Sequence, residues 1–144
     1  MIYRTLGKSG IEASVVGLGT WVTGGGKVWG EDPDDTESIR AIHASIDAGI
    51  NLIDTAPAYG FGRSEKVIAK AIKGKRDRVV IATKCGLWWD DKRGSYFCEF
   101  NDRDVYRSLR PDTIRIEVEN SLRRLEIDTI DLYQTHWPSV EPDK

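Results

Sequence analysis

Apolar positions in this chain recur with two alternating periods. Short β-compatible runs at Val15–Thr20, Ile50–Asp54, Val79–Thr83 and Ile130–Gln134 predict four core strands. Between them the apolar residues fall at helical spacing. Ile39, Ile42, His43 and Ile46 follow the helix-start residues Asp34, Asp35 and Thr36 and run to Gly49, which predicts a helix of about three turns. Val67, Ile68, Ala71 and Ile72, between Ser64 and Gly74, predict a second helix. Pro111 suits the first turn of a third, with Ile114, Val118, Leu122 and Leu125 as its apolar stripe. Ahead of the first core strand, Tyr3–Leu6 and Ile11–Ser14 flank a Gly-bounded turn, Gly7–Gly10, and predict a short hairpin that caps the fold. Thr23–Gly30 is a Gly-rich loop. Lys84–Arg110 has no clean period and is expected to be a long loop, a kind of segment that often carries function.

Four strands alternating with three helices predict an α/β fold around a parallel sheet, since each crossover helix returns the chain to the same end. Periodicity does not choose between an open sheet and a barrel. A complete eight-unit barrel takes about 250 residues, so a chain of 144 supplies about half of one. No internal repeat or low-complexity tract alters this reading.

Composition narrows the partners. The formal net charge is -2 with 31% charged residues, and Lys and Arg are interleaved with Asp and Glu, as in Arg115, Glu117, Glu119, Arg123 and Arg124. That interleaving predicts a solvated helix face, with no basic stripe for nucleic acid. No apolar run approaches the ~20 residues that span a bilayer, so no membrane association is expected. The start, Met1-Ile2-Tyr3-Arg4, lacks the apolar core of a signal peptide, which predicts a cytoplasmic protein. Cys85 and Cys98 are expected as free thiols, and with only His43 and His136 beside them they form no zinc set.

Asp54, Tyr59, Lys84 and His136 each lie at or just beyond the C-terminal end of a predicted core strand, the end where barrel enzymes collect catalytic groups. Taken singly, each has an ordinary structural role: an Asp caps, a Tyr packs, and most Lys and His residues have no catalytic part. Taken together they suit one chemistry. Hydride addition to a carbonyl leaves an alkoxide, which needs a proton donor and groups that stabilise negative charge. Tyr59 can donate the proton, and a phenol gives it up more readily beside a cation such as Lys84. Asp54 can hold the ammonium, and His136 can hydrogen-bond and orient the substrate oxygen.

The stretches Gly17–Trp21, Asn51–Glu65, Val80–Lys84 and Ile130–His136 resemble the successive motifs of the aldo-keto reductases, in family order and with family spacing. Phe61–Glu65 and His136-Trp137-Pro138 resemble the bacterial branch. The resemblance implies a (β/α)8 TIM barrel, of which residues 1–144 are the N-terminal half with no second domain, and an NADPH-dependent reduction of small aldehydes or ketones. It implies Tyr59 as general acid supported by Asp54, Lys84 and His136, and Gly19, Thr20, Trp21 and Asp54 at the cofactor. Trp21, Trp88, Trp89 and Trp137 are the expected substrate walls, although Trp88 and Trp89 would equally suit a role covering apolar surface. Cys85 is expected to be filler. Family members continue through four further units that supply most of the cofactor site, so residues 1–144 alone are expected to lack most of it and to self-associate through the open half-barrel.

Three other readings compete. Gly17-Leu18-Gly19 after the first strand suggests a dinucleotide fingerprint, but the third small residue is replaced by Val22 and no helix opens at once. A nucleotide-sensing regulatory barrel without turnover shares the fold, and fold alone does not set function. An inactive half-barrel fragment is the third.

Overall fold

The computed structural model describes residues 1–30 and 34–138. The chain opens with an antiparallel pair, β1 (Tyr3–Thr5) and β2 (Glu12–Ser14). There follow β3 (Leu18–Gly19), α1 (Asp35–Asp47), β4 (Leu52–Asp54), α2 (Arg63–Ile72) and β5 (Val80–Cys85). Then come β6 (Leu87–Trp88), β7 (Ser95–Phe100), β8 (Arg103–Arg107), α3 (Pro111–Leu125) and β9 (Leu132–Thr135). No helix among the described residues is long and apolar enough to cross a membrane.

The helices begin where their chemistry says they should. Asp34 caps α1 by accepting the Thr36 N–H at 2.7 Å, and Pro111 occupies the first turn of α3. The hairpin is fastened to the N-terminal end of β4 by the Asn51 side chain and by the Ser14 hydroxyl, which accepts the Asn51 and Leu52 N–H groups at 3.1 and 3.3 Å. Asn51 donates from Nδ2 to the Glu12 carbonyl at 2.8 Å and accepts the Ser14 N–H at 2.7 Å. β3 is shorter than the predicted Val15–Thr20, because the Val15 N–H continues the hairpin by donating to the Ile2 carbonyl at 3.0 Å. Val15 and Val16 consequently stand exposed.

β3, β4, β5 and β9 are neighbours in that order and all parallel. This order settles what periodicity left open. A doubly wound sheet reverses direction and covers both faces with helices. Here every strand adds on the same side, and right-handed crossovers then leave every helix on one face. Ile53 and Ile81, side by side and fully buried, meet Ile42 and Ile46 of α1, Val67, Ile68 and Ile72 of α2, and Leu125 of α3. Burying each such side chain is worth roughly 1.5–3 kcal/mol. The other face, bearing Leu52, Asp54, Ala82, Lys84 and Leu132, is that of a barrel interior.

Three expectations are corrected. The stripe Ile114, Val118, Leu122 and Leu125 is not the buried face of α3: apart from Leu125, the buried residues are Thr113, Glu117 and Ser121. Glu117 is only 5% exposed and Arg124 pairs with the fully buried Glu65, so these two do not belong to a solvated face. The segment Lys84–Arg110 is not one long loop but contains a three-stranded antiparallel sheet, ordered β6-β8-β7. Its tight turn is Asn101-Asp102, both residues at positive φ (48° and 60°), the geometry of a two-residue hairpin.

β3 and β9 are the outer strands of the parallel sheet, and outer strands recruit other strands. The exposed Val15, Val16, Trp21 and Val22 add apolar surface near one of them. A protein consisting of residues 1–144 alone is therefore expected to self-associate. Static light scattering should give a mass that climbs with concentration; a monomer mass throughout would contradict this.

Candidate active site

The parallel register brings the candidate residues to one end of the sheet. Asp54 closes β4, Lys84 lies next to last in β5, and His136 directly follows β9. Tyr59 sits in the connection from β4 to α2. Lys84 Nζ donates to both oxygens of Asp54 at 3.0 and 2.8 Å, to the Thr55 carbonyl at 2.8 Å, and to the Tyr59 hydroxyl oxygen at 3.3 Å. Because the phenol oxygen accepts from the ammonium, its own proton points elsewhere. The His136 ring meets that of Tyr59 edge-on, with centroids 5.7 Å apart. All four predicted residues are thus in one cluster.

Buried hydroxyls hold the tyrosine's loop. Ser64, at the start of α2 and fully buried, contacts Thr23 Oγ1 at 2.7 Å and Thr55 Oγ1 at 3.0 Å and donates to the Thr20 carbonyl at 2.9 Å. One residue on, Glu65 accepts from Thr83 at 2.8 Å and pairs with Arg124 of α3. Removing one partner of such a buried pair typically costs about 3–5 kcal/mol. Backbone packs directly on backbone above this network. A Cβ on Gly60 would come within 2.0 Å of the Gly24 carbonyl oxygen, so the Gly-rich loop and the tyrosine loop touch only because both residues are glycine. The next residue, Phe61, is held at φ 50°, an uncommon conformation for a bulky side chain.

One peptide unit, Cys85-Gly86, joins His136 to Glu117. The Cys85 carbonyl accepts the His136 N–H at 2.8 Å, and the Gly86 N–H donates to both oxygens of Glu117 at 3.1 and 3.0 Å. Burial, with the charge of Lys84 second and Asp54 opposing, lowers the His136 pKa to about 4. At neutral pH the ring is uncharged and keeps one N–H to donate. Burial, opposed by the Gly86 N–H and the Arg124 charge, raises the Glu117 carboxyl to about 8. Burial likewise raises the Cys85 thiol to about 11, which suits packing rather than nucleophilic chemistry.

Beside Tyr59 and His136 lies a cavity of about 360 Å³, walled by aromatic rings that include Trp21, Phe61, Phe97, Phe100 and Trp137. A second hollow of about 500 Å³ at the other end of the strands, around Gly74 and Thr129, contains none of the four clustered residues. Trp21 and Trp137 line this cavity. Trp88 does not: pairing of β6 with β8 turns it inward, where it is 3% exposed and donates to Asp91 at 2.8 Å. Trp89 is also outside the cavity wall and packs edge-on against Phe61 at 5.0 Å. Thr20 is buried, and its hydroxyl donates to the Asp54 carbonyl at 2.9 Å, so it braces the site instead of facing a ligand. Sequence reasoning missed Glu117, Ser64, Glu65 and the three phenylalanines. Ser64 and Glu65 stood inside a quoted motif, and Asn101-Asp102 was the signal for the hairpin that carries Phe97 and Phe100.

A parallel barrel wall with Asp, Tyr, Lys and His gathered at its C-terminal end defines a class, and residues 15–143 match the model of that class, the Aldo/keto reductase family. The chain belongs to this family. It is 49% identical over 138 residues to the NADH-specific methylglyoxal reductase of Escherichia coli, covering 95% of this chain and 42% of that protein. Among solved structures, it resembles the glycerol dehydrogenase AKR11B4 from Gluconobacter oxydans, with TM-score 0.77, 47% identity, and coverage of 96% of this chain and 39% of the other. It also resembles a Klebsiella pneumoniae aldo-keto reductase in complex with NADPH, with TM-score 0.70, 31% identity, and coverage of 99% and 42%. The chain thus spans about 40% of the length of the relatives it matches. The residues present fit the flat ring end of a nicotinamide dinucleotide. A Cβ on Gly19 would meet nothing within 4 Å, so the space beside Asp54 is open, and the exposed ring of Trp21 borders it.

Glu117 makes stability depend on pH with a definite sign. Its folded pKa, about 8, lies above the ordinary value of 4.5, so its contribution is whole below 4.5 and is lost as pH rises through 8. His136 titrates in the opposite sense: its contribution is present above 6.5 and is lost as pH falls through 4. Comparison with Glu117→Gln isolates the carboxyl. In a full-length barrel protein carrying this sequence, urea unfolding between about pH 5 and 9 should show the parent losing stability relative to the Gln variant, by a few kcal/mol across the window. Parallel pH curves for the two proteins would refute it.

Proposed function

We propose that the protein reduces small aldehydes or ketones to alcohols, with Tyr59 as the general acid. The observation that carries this reading is the Lys84 ammonium, which bridges the Asp54 carboxylate and the Tyr59 hydroxyl at the edge of the aromatic cavity. A bound reduced nicotinamide dinucleotide supplies the hydride. NADPH is the form we propose, as in the Klebsiella pneumoniae complex; the Escherichia coli relative is named NADH-specific, so a comparison of kcat/KM with the two cofactors decides that point.

Gly19, Trp21 and Asp54 leave room for the flat ring, and Trp21 and Trp137 flank the carbonyl. The neutral His136 donates its N–H to the carbonyl oxygen and orients it. As negative charge grows on that oxygen, Tyr59 passes its proton there, and the Lys84 ammonium stabilises the phenolate left behind. Asp54 keeps the ammonium in place throughout. The substrate then holds one more C–H and one more O–H bond, Tyr59 has lost its own O–H in exchange, and solvent returns that proton to the phenolate. A cytoplasmic location is part of this proposal.

Tyr59→Phe keeps the ring and removes the transferable proton. In a full-length barrel protein carrying this sequence, kcat/KM should fall roughly 10²–10⁴-fold, with cofactor affinity by fluorescence titration nearly unchanged. A variant that kept more than about a tenth of the parental kcat/KM, a loss below 1.4 kcal/mol, would remove Tyr59 from the role of acid.

A further inference from the structure

Side chains alternate along a strand, so Arg103, Val105 and Arg107 share one face of β8. Val105 lines the aromatic cavity, and the two arginines stack on rings that line it too. The Arg103 guanidinium lies 4.9 Å from the centre of the Phe61 ring, and that of Arg107 lies 4.2 Å from Phe97 and 5.2 Å from Trp137. Trp137 follows directly on His136. The charge of Arg107 also reaches Cys98, which lines the cavity opposite Val105, and partly offsets the burial that raises that thiol.

Neither guanidinium has a carboxylate partner among the described residues. The neighbouring arginines do: Arg93 pairs with Asp91 and Asp112, and Arg110 with Asp112. The buried Nε of Arg107 has no hydrogen-bond acceptor among the described residues. The acidic residues of this sheet are on its far side. Asp104 alternates with Arg103 and Val105, and its cross-strand partner is Glu99. Within the site, Lys84 is already matched by Asp54, and His136 is uncharged at neutral pH. Among the described residues, the cavity is therefore apolar in its walls and positive at its rim, with no carboxylate matching that positive charge.

We infer that Arg107 selects carbonyl substrates that carry a carboxylate. This rests on the reductase reading and names a substrate class for the same site. A guanidinium matches a carboxylate with two parallel N–H···O bonds, and aromatic walls hold a flat substrate between the two ends. Low dielectric around the rings strengthens the attraction. Arg103, exposed at the opposite end of the strand face, steers the anion without fixing it.

The test uses 4-formylbenzoate and its methyl ester, nearly equal in size and unequal in charge, with a full-length barrel protein carrying this sequence. The parent should show kcat/KM for the acid about tenfold or more above the ester, mainly through KM, a preference worth about 1.4 kcal/mol. Arg107→Met should bring the ratio near one, and Arg107→Lys should leave an intermediate ratio because the point charge remains without the fork. Equal use of acid and ester by the parent, or a ratio unchanged in Arg107→Met, would overturn the inference while leaving the reductase reading intact. Reduction of neither compound would overturn both. Should Arg107→Met fail to fold, the parental ratio must shrink as NaCl rises from about 0.05 to 0.5 M; a ratio indifferent to salt would overturn the assignment equally.

Discussion

A lysine ammonium brought out of bulk water has to be given partners, and Lys84, whose side chain is 13% exposed, has them on every side. An unpaired ion at such a depth would cost several kcal/mol. Two carboxylate oxygens, one backbone carbonyl and one phenol oxygen remove that penalty. Each partner is itself held by structure. The Thr55 carbonyl is aimed by an N–H bond from Thr55 to Ala82 and by the hydroxyl contact to Ser64. Asp54 stands where β4 ends, with its carbonyl accepting from both the N–H and the hydroxyl of Thr20. Burial, with the same cation second, keeps a proton off His136, and the cation turns the tyrosine's proton away from itself. A single charge thereby ties the ends of β4 and β5 to the tyrosine's loop.

Beneath the cluster the protein uses polar groups where a simpler fold would use aliphatic ones. Thr20, Thr23, Ser64, Thr83 and Glu65 are all buried, as are Thr113, Glu117 and Ser121 on α3. Buried hydrogen bonds are directional, and apolar contacts are not. The lower part of the sheet, around Ile53 and Ile81, is packed with isoleucine and valine and supplies stability. The upper part gives up some apolar burial and gains fixed angles. That division of labour explains why α3 shows a polar inward stripe.

Much of this was legible in the residues. The four core strands and three helices follow from periodicity and capping, and Asp34, Gly49 and Pro111 mark helix ends by local chemistry alone. Asp54, Tyr59, Lys84 and His136 could be placed at strand ends without knowing the sheet order, because a parallel alternation forces those ends together. What could not be read depends on contacts between distant segments. Glu117 looked like one charge among many until Gly86 was found against it. Trp88 and Trp89 looked equivalent until strand pairing turned one of them inward. Val15 and Val16 have the composition of a core strand, and only the hydrogen bond to Ile2 assigns Val15 to the hairpin. The Asn101-Asp102 turn was readable locally, but aromatic and charged residues on both sides obscured the alternation that should have accompanied it.

The three-stranded sheet leaves the barrel at Gly86 and returns at Ser108, and those two residues are themselves joined, Ser108 N–H to the Gly86 carbonyl, at 3.3 Å. An excursion whose two ends are tied together behaves as a cassette. Its internal length and sequence can drift while the barrel beneath registers only a closed pair of endpoints. Asp54, Tyr59, Lys84 and His136 stand on the barrel, and Phe97, Cys98, Phe100 and Val105 of the cavity wall stand on the cassette. On the proposed reading, a cassette bearing other rings would change what the cavity admits without moving Asp54, Tyr59, Lys84 or His136.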